Sequence, residues 1–179
     1  TGSVTVNITA NNDAPVFTNL GGAVGFTENG AAVVLDSNAL LSDPELDATN
    51  WSGATLQLSR NGGANANDVF SGTGTLTATL TQGGTFAIGA TTVGTVTTNS
   101  GGTLLLTFNG NATAALVDSV LQQIAYSNTN NNPPASVQID YLVNDQNGGA
   151  QGVGGARTGT GSVTVNITAN NDAPVFTNL

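Results

Sequence analysis

The feature that most constrains the fold is an alternation of apolar and polar residues, with a period of two, that dominates several short segments. It is clearest at Val137, Ile139, Tyr141 and Val143 in SVQIDYLV and at Leu104, Leu106 and Phe108 in TLLLTF. Such alternation puts one face of a β-strand in a core and the other in solvent. Between these segments stand NGG, QGG, NSGG, NNPP and QNGG, which are turn sequences. Many short strands joined by such turns predict an all-β fold, an antiparallel β-sandwich.

One segment departs from this pattern. In NATAALVDSVLQQIAYSN the apolar residues recur at helical spacing, at Leu116, Val117, Val120, Leu121 and Ile124. The sequence predicts one short helix near 113–124, with Asn111 or Thr113 as its N-cap. We expect its apolar stripe to belong to the core and the helix to cover one end or edge of the sandwich.

The chain also spells one twenty-residue segment twice. TGSVTVNITANNDAPVFTNL occupies residues 1–20 and again 160–179, an offset of 159 residues. This offset is too long for a solenoid coil and has the length of a whole domain. We interpret the chain as one period of a tandem array, in which SVTVNIT is a last strand, ANNDAP a joint and VFTNL the first strand of the following unit.

This interpretation divides the chain into three parts. Residues 1–13 are the last strand and linker of a preceding repeat, and residues 14–169 are one β-sandwich repeat. Residues 170–179 are the linker and first strand of the next repeat. The sequence alone leaves open which copy of SVTVNIT completes the sandwich.

The composition excludes several classes of function. The chain has 11 Asp and Glu against 2 Lys and Arg, a net charge of −9, and no His or Cys. A surface this acidic repels phosphate backbones, so we expect no nucleic-acid partner. Thiolate zinc sites, disulfides and nucleophilic catalysis with a histidine base are all excluded. No apolar run reaches about 18 residues, so membrane insertion is not expected.

A catalytic carboxylate pair of the glycosidase kind remains conceivable on composition alone. Such a site also needs aromatic platforms for the sugar, and Trp51, Tyr126 and Tyr141 are scattered along the chain. We therefore expect a protein that is not an enzyme.

The acidic and amide residues cluster in turns instead of spreading along the strands. The candidate ligand groups are Asn11, Asn12 and Asp13; Glu28; Asp43, Glu45 and Asp47; Asp145; and Asn170, Asn171 and Asp172. Oxygen-bearing residues in loops of this kind can aim several oxygens at one point. Six to eight oxygens are what Ca²⁺ prefers, and the lack of His and Cys makes a transition metal a poorer fit.

Each group also has an ordinary structural explanation. LSDPELD can be a turn with solvated charges, VNDQNGG a hairpin turn and FTENG a strand edge. NNDAP can be an Asx-turn before an extended segment fixed by proline. Asp68 in NGGANANDVF is at most an accessory ligand in a plain loop.

The order of these motifs resembles that of the cadherin repeat. FTENG, SDPELD, VNDQNGG, a β-strand and NNDAPVF follow one another as the corresponding motifs do in that family. The long middle segment, 59–135, resembles the cadherin-like repeats of giant bacterial RTX-type adhesins. The resemblance implies a cadherin/Ig-like Greek key, Ca²⁺ bound where successive repeats join, and a role as an extender repeat in the stalk of a secreted or cell-surface adhesin.

The resemblance also assigns the ligand groups to two poles of the domain. Asp43, Glu45 and Asp145 are expected to meet Asn11, Asn12 and Asp13 of the first copy. Glu28 is expected at the opposite end, near Asn171 and Asp172 of the second copy. Thr9 and Thr168 stand where the cadherin linker begins with Asp. Fewer carboxylates imply fewer than three ions per junction and a dissociation constant of about 10⁻⁴–10⁻³ M.

Two other functions stay open at this stage. The chain can be an adhesive module that binds glycan or a like domain, which calls for an exposed aromatic patch. Alternatively, it can be an ion-independent filament subunit, in which the spare SVTVNIT adds as a strand to a neighbouring copy. The expected partners are neighbouring copies of the same repeat, in tandem or by strand exchange.

Overall fold

The computed structural model describes residues 2–172 and contains twelve strands and two helices in that range. The strands are β1 (Val16–Thr18), β2 (Ala23–Thr27), β3 (Val33–Val34), β4 (Leu40–Ser42), β5 (Thr55–Arg60), β6 (Asp68–Gly72), β7 (Thr85–Ile88), β8 (Thr91–Ser100), β9 (Thr103–Phe108), β10 (Ile124–Asn128), β11 (Ser136–Asn144) and β12 (Thr158–Thr168). The helices are α1 (Pro44–Asp47) and α2 (Ala114–Leu121).

The strands form one large sheet and two small ones. The large sheet has seven strands in the order β2-β12-β11-β5-β9-β8-β7, and the small sheets are β3-β10-β6 and β1-β4. The predicted all-β sandwich with a short helix is confirmed. One pairing differs from the antiparallel expectation, because β12 runs parallel to β2 from Thr164↔Ala23 to Thr168↔Thr27.

The core lies between the large sheet and the small ones. The alternation predicted from the sequence for β11 and β9 is observed, and the inward residues Val137, Ile139, Tyr141, Val143, Leu104, Leu106 and Phe108 are all buried. Tyr126 of β10 packs edge-to-face against Phe26 and Phe70, with ring centroids 5.9 and 6.1 Å apart. The contact with Phe26 of β2 joins the small sheet to the large one by apolar packing, whereas the contact with Phe70 of β6 lies within the small sheet.

A buried ion pair also joins the sheets. Arg60 at the end of β5 holds the Asp68 carboxylate through two nitrogens, at 2.6 and 2.8 Å. Tyr126 and Asn128 donate to the same carboxylate at 2.6 and 2.9 Å. Asp68 is therefore fully engaged within the fold, which leaves it no part in a metal site.

The helices differ in detail from the prediction. Helix α2 has Thr113, one of the two predicted residues, as its N-cap. It ends at Leu121 instead of near residue 124. Ile124 opens strand β10, because its apolar side chain fits a strand as well as a helix. The one-turn helix α1 was not predicted. Of the helices in residues 2–172, none has the length and apolar character needed to cross a membrane.

The two copies of the duplicated segment have different structures. In the second copy Val163, Val165 and Ile167 lie on β12, which pairs with β2 and β11, and their side chains are buried in the hydrophobic core. In the first copy the matching Val4, Val6 and Ile8 belong to no strand and are 90, 75 and 88% exposed. Thus the second copy completes the sandwich. The VFT of the first copy forms β1, whereas the second VFTNL lies outside the described residues.

Candidate metal centre

Asp43 is placed by the start of helix α1. It is the N-cap, and its Oδ1 accepts hydrogen bonds from the backbone N–H groups of Glu45 and Leu46, both at 3.0 Å. Pro44 follows in the first helical turn, where its missing N–H is not needed. The residue is fully buried, and its second oxygen, Oδ2, is buried without a hydrogen-bond partner.

Asp145 comes directly after β11, at the same end of the sandwich. Its Oδ1 accepts from the backbone N–H groups of Asn147 and Arg157, at 3.0 and 2.9 Å. Its Oδ2 accepts from the side-chain amide of Asn12 at 2.7 Å. One buried carboxylate therefore fixes both ends of the loop between β11 and β12 and also holds the linker.

Asn12 brings the linker into this cluster. Its Nδ2 donates to Asp145 and, at 2.9 Å, to the carbonyl oxygen of Gly155. Both partners are acceptors, so the amide has only one sensible orientation, with nitrogen facing them. Asn12 Oδ1 is thereby left on the other side, buried and without a partner.

The electrostatics of this cluster are unfavourable without a cation. Burial raises the pKa of the Asp43 carboxyl, hydrogen bonds from Leu46 and Glu45 oppose that rise, and the charges of Glu45 and Asp145 add to it. Asp13 donates its backbone N–H to Glu45 at 3.2 Å. Within residues 2–172 no Arg side chain lies at ion-pair distance from these carboxylates. A bound cation would relieve both the repulsion and the desolvation.

Gln151 belongs to the same cluster, although the sequence did not single it out. Its Nε2 donates to the carbonyl oxygen of Asp145 at 3.0 Å, while its Oε1 is buried without a partner. Asn147 shapes this loop, since its Oδ1 accepts from the N–H groups of Gly149 and Gln151. Asn12, Asp43, Glu45, Asp145 and Gln151 are called the proximal pole below.

Two predicted ligands lie aside from the proximal pole. Asp47 accepts from Trp51 Nε1 at 3.0 Å and from the backbone N–H of Asp43 at 3.1 Å, so its carboxylate steadies α1. The pKa of Asp118 is raised mainly by burial, and the charge of Asp47 adds to that rise. The backbone of Asn11 forms a parallel bridge with Val153, and the residue is exposed.

Glu28 organises the opposite end of the domain. It follows β2 and is buried, and its Oε2 accepts from the backbone N–H of Asn170 at 2.8 Å. Its own N–H donates to the carbonyl oxygen of Thr168 at 3.0 Å. Its Oε1 is buried without a partner. Asn170, Asn171 and Asp172 are themselves exposed.

Glu28 and the segment 170–172 are called the distal pole. The two poles lie at opposite ends of β12, whose 11 residues span roughly 33 Å. The structure therefore puts Asn12 and Asp13 with Asp43, Glu45 and Asp145, and puts Glu28 with Asn170.

Unpaired buried oxygens concentrate at these poles. Among the described residues, five buried side-chain polar atoms have no hydrogen-bond partner, namely Asn12 Oδ1, Glu28 Oε1, Asp43 Oδ2, Gln151 Oε1 and Tyr141 OH. Four of the five are carboxylate or amide oxygens of the two poles, and such oxygens are Ca²⁺ ligands. Buried polar groups normally have hydrogen-bond partners, so four unpaired oxygens at the two poles are unusual.

The carboxylates alone do not form a complete site. Across residues 2–172, no three Asp or Glu side chains converge closely enough to hold an ion by themselves. An ion at the proximal pole would have to combine carboxylate oxygens with the amide oxygens of Asn12 and Gln151. A mixed ligand set of this kind carries little charge, which suits a weak site.

A shallow groove of about 520 Å³ on the large sheet is a separate feature. Its polar side chains include Gln57, Ser59, Gln138, Asp140 and Ser162. The aromatic residue beside it, Tyr141, is buried and packs edge-to-face on Phe17 at 6.1 Å. The groove therefore offers no exposed aromatic ring to a sugar.

No protein-family model and no curated protein sequence matches this chain.

Proposed function

We propose that the chain is a calcium-binding extender repeat of a long secreted or cell-surface adhesin, with Ca²⁺ at the joints between repeats stiffening the stalk. The observation that carries the proposal is the set of four unpaired buried oxygens at the two poles. The cadherin-like order of the motifs adds support, because it names three of those four residues independently of the coordinates.

The duplication relates the two poles to each other. With an offset of 159 residues, Asn170, Asn171 and Asp172 correspond to Asn11, Asn12 and Asp13. In a tandem array the linker at the distal pole of one repeat would reach the proximal pole of the next. Each junction would then join Glu28 of one repeat to the Asp43, Glu45 and Asp145 cluster of the following one.

The uncovered first copy fits the same proposal. Val4, Val6 and Ile8 form an apolar stripe, and in an array they would occupy the β12 position of the preceding repeat. An ion bound at the junction would fix the linker between two domains and hold them in line. Without the ion, repulsion among the carboxylates would let the joint bend. The proposal includes no reaction.

Two experiments test the proposal. Calorimetric titration of this chain with CaCl₂, after treatment with chelator, should show binding with a dissociation constant of about 10⁻⁴–10⁻³ M. Small-angle scattering of a protein with two repeats should show a longer, stiffer particle in CaCl₂ than in EDTA. In the two-repeat protein, Glu28→Gln in the first repeat should shorten the calcium-bound particle. Asp140→Asn, in the groove between the poles, is the matched control. Equal dimensions with and without calcium would rule out the proposal that Ca²⁺ stiffens the joint.

The exposed stripe also favours a second candidate, a filament subunit assembled by strand exchange. The first copy has the sequence of β12 and three bare apolar residues, so it can replace β12 in a neighbouring copy. Sedimentation velocity over a hundredfold range of concentration distinguishes the two. A monomer at every concentration argues against exchange, whereas concentration-dependent oligomers in EDTA support it.

A further inference from the structure

We propose that the loop between β11 and β12, residues 145–157, is a peptide-binding surface that holds the linker Ala10–Asn12 without any ion. Three hydrogen bonds between the loop and the linker join neutral groups, and a fourth joins the Asn12 side-chain amide to the Asp145 carboxylate at 2.7 Å. Val153 donates its N–H to Ala10 at 3.0 Å, and Asn12 donates its N–H to the Val153 carbonyl at 2.9 Å. The Asn12 side chain adds the bond to the Gly155 carbonyl at 2.9 Å.

These bonds form a short parallel bridge centred on Asn11 and Val153. The three bonds that join an N–H group to a backbone carbonyl do not depend on a charge that the metal would neutralise. The loop is held in shape independently, because Asn147 donates to Gly152 at 3.0 Å and accepts from two backbone N–H groups. The partner that this surface fits is therefore an extended Ala-Asn-Asn segment.

Gly152 is the point of closest approach. It has a φ of +110°, and a Cβ placed there would lie 2.8 Å from the carbonyl oxygen of Ala10. A side chain at this position would push the linker away. Gly149, three residues earlier in the same loop, has nearly the same φ, +109°, and nothing within 4 Å of its Cβ position. The loop thus contains a natural control for backbone strain.

The distal pole holds its linker differently. There the described contact with segment 170–172 is one hydrogen bond, from the Asn170 N–H to the Glu28 carboxylate at 2.8 Å. If the proposed tandem array exists, loss of the ion would free the linker from the repeat before it and leave it attached to the repeat after it. The joint would bend between residues 168 and 170, which correspond to residues 9 and 11 of the first copy.

NMR-detected amide exchange of the full chain in EDTA tests the surface. The Asn12 and Val153 amides should be protected at least tenfold against exposed-loop rates. Gly152→Ala should remove that protection, whereas Gly149→Ala, with the same strain, should leave it. The Ile139 and Val165 amides, in the centre of the large sheet, report whether either variant is still folded. If Gly152→Ala does not fold, wild-type protection in EDTA decides the question, and exchange of Asn12 and Val153 at exposed-loop rates overturns the proposal.

The result is separable from the calcium hypothesis. Protection of the Asn12 and Val153 amides in EDTA, together with no heat of calcium binding, supports the peptide-binding surface and rejects the calcium-stiffened joint. Protection of these amides that appears only in CaCl₂ overturns the ion-independent surface and is compatible with the calcium-stiffened joint.

Discussion

Replacing Asp43 by Asn changes one atom at the centre of the proximal pole. Asn is as good an N-cap as Asp, so Oδ1 should still accept from Glu45 and Leu46 and helix α1 should persist. The unpaired Oδ2 is replaced by an amide nitrogen, which cannot bind a cation. In EDTA the variant should be more stable than the wild type, because a buried charge facing Glu45 and Asp145 is gone.

In calcium the sign of the effect should reverse. For a dissociation constant of 10⁻⁴–10⁻³ M, 10 mM Ca²⁺ stabilises the folded state by RT ln(1 + [L]/Kd), about 1.4 to 2.7 kcal/mol. In a domain of this size that is a rise of about 3 to 11 °C in melting temperature. Asp43→Asn should lose most of this rise.

The assay is thermal unfolding followed by circular dichroism, in EDTA and in 10 mM CaCl₂. Asp140→Asn removes a carboxylate from the groove on the large sheet and should keep the full calcium shift. The reasoning is refuted if Asp43→Asn keeps the wild-type shift in calcium, or if it is the less stable protein in EDTA.

Three further predictions concern the fold. Burial and the charge of Asp47 raise the pKa of Asp118, so ionisation of this carboxyl opposes folding. In EDTA, Asp118→Asn should therefore be more stable than the wild type at pH 7, and the difference in their free energies of unfolding, measured by urea unfolding, should shrink as the pH falls towards about 3.9, the pKa of an unfolded Asp. A difference that does not change with pH would contradict this. Asp68→Asn leaves the Arg60 charge unpaired in a half-buried site and should cost about 3 kcal/mol in the same assay, and a loss under 1 kcal/mol would contradict it. Ile167→Ala should cost about 2 kcal/mol, whereas Ile8→Ala, the same residue in the same local sequence, should change nothing; equal effects would show that the first copy is also packed.

The sequence predicted the parts of the fold that depend on local pattern. Strands β9 and β11 were predicted with the correct inward faces, because burial of one face leaves a period of two in the residues themselves. The prediction failed where a residue suits two structures. Ile124 continues the apolar spacing of α2, yet it pairs with Gly72 as the first residue of β10. Helix α1 was missed because four residues are too few to show a period.

The candidate site divides in the same way. Asp43, Asp145, Asn12 and Glu28 could be singled out because carboxylates and amides in turns are conspicuous in a chain with few charges. Gln151 could not, since only the folded loop buries its Oε1 beside Asp145. Asp47 had the same local signal as Asp43 and Glu45, but tertiary packing turns its carboxylate towards Trp51.

The duplicated segment separates the two kinds of information most sharply. By itself the sequence determines that SVTVNIT is a strand with Val, Val and Ile on one face, and it determines this equally for both copies. Only the tertiary structure decides which copy enters the sheet. In β12 the end of this segment, Thr168, lies at the distal pole, whereas the first copy ends at Thr9, next to a linker held at the proximal pole roughly 33 Å away. A strand in the β12 position must end at the distal pole. The second copy does so and is buried, whereas the first copy ends beside the proximal pole and is left exposed.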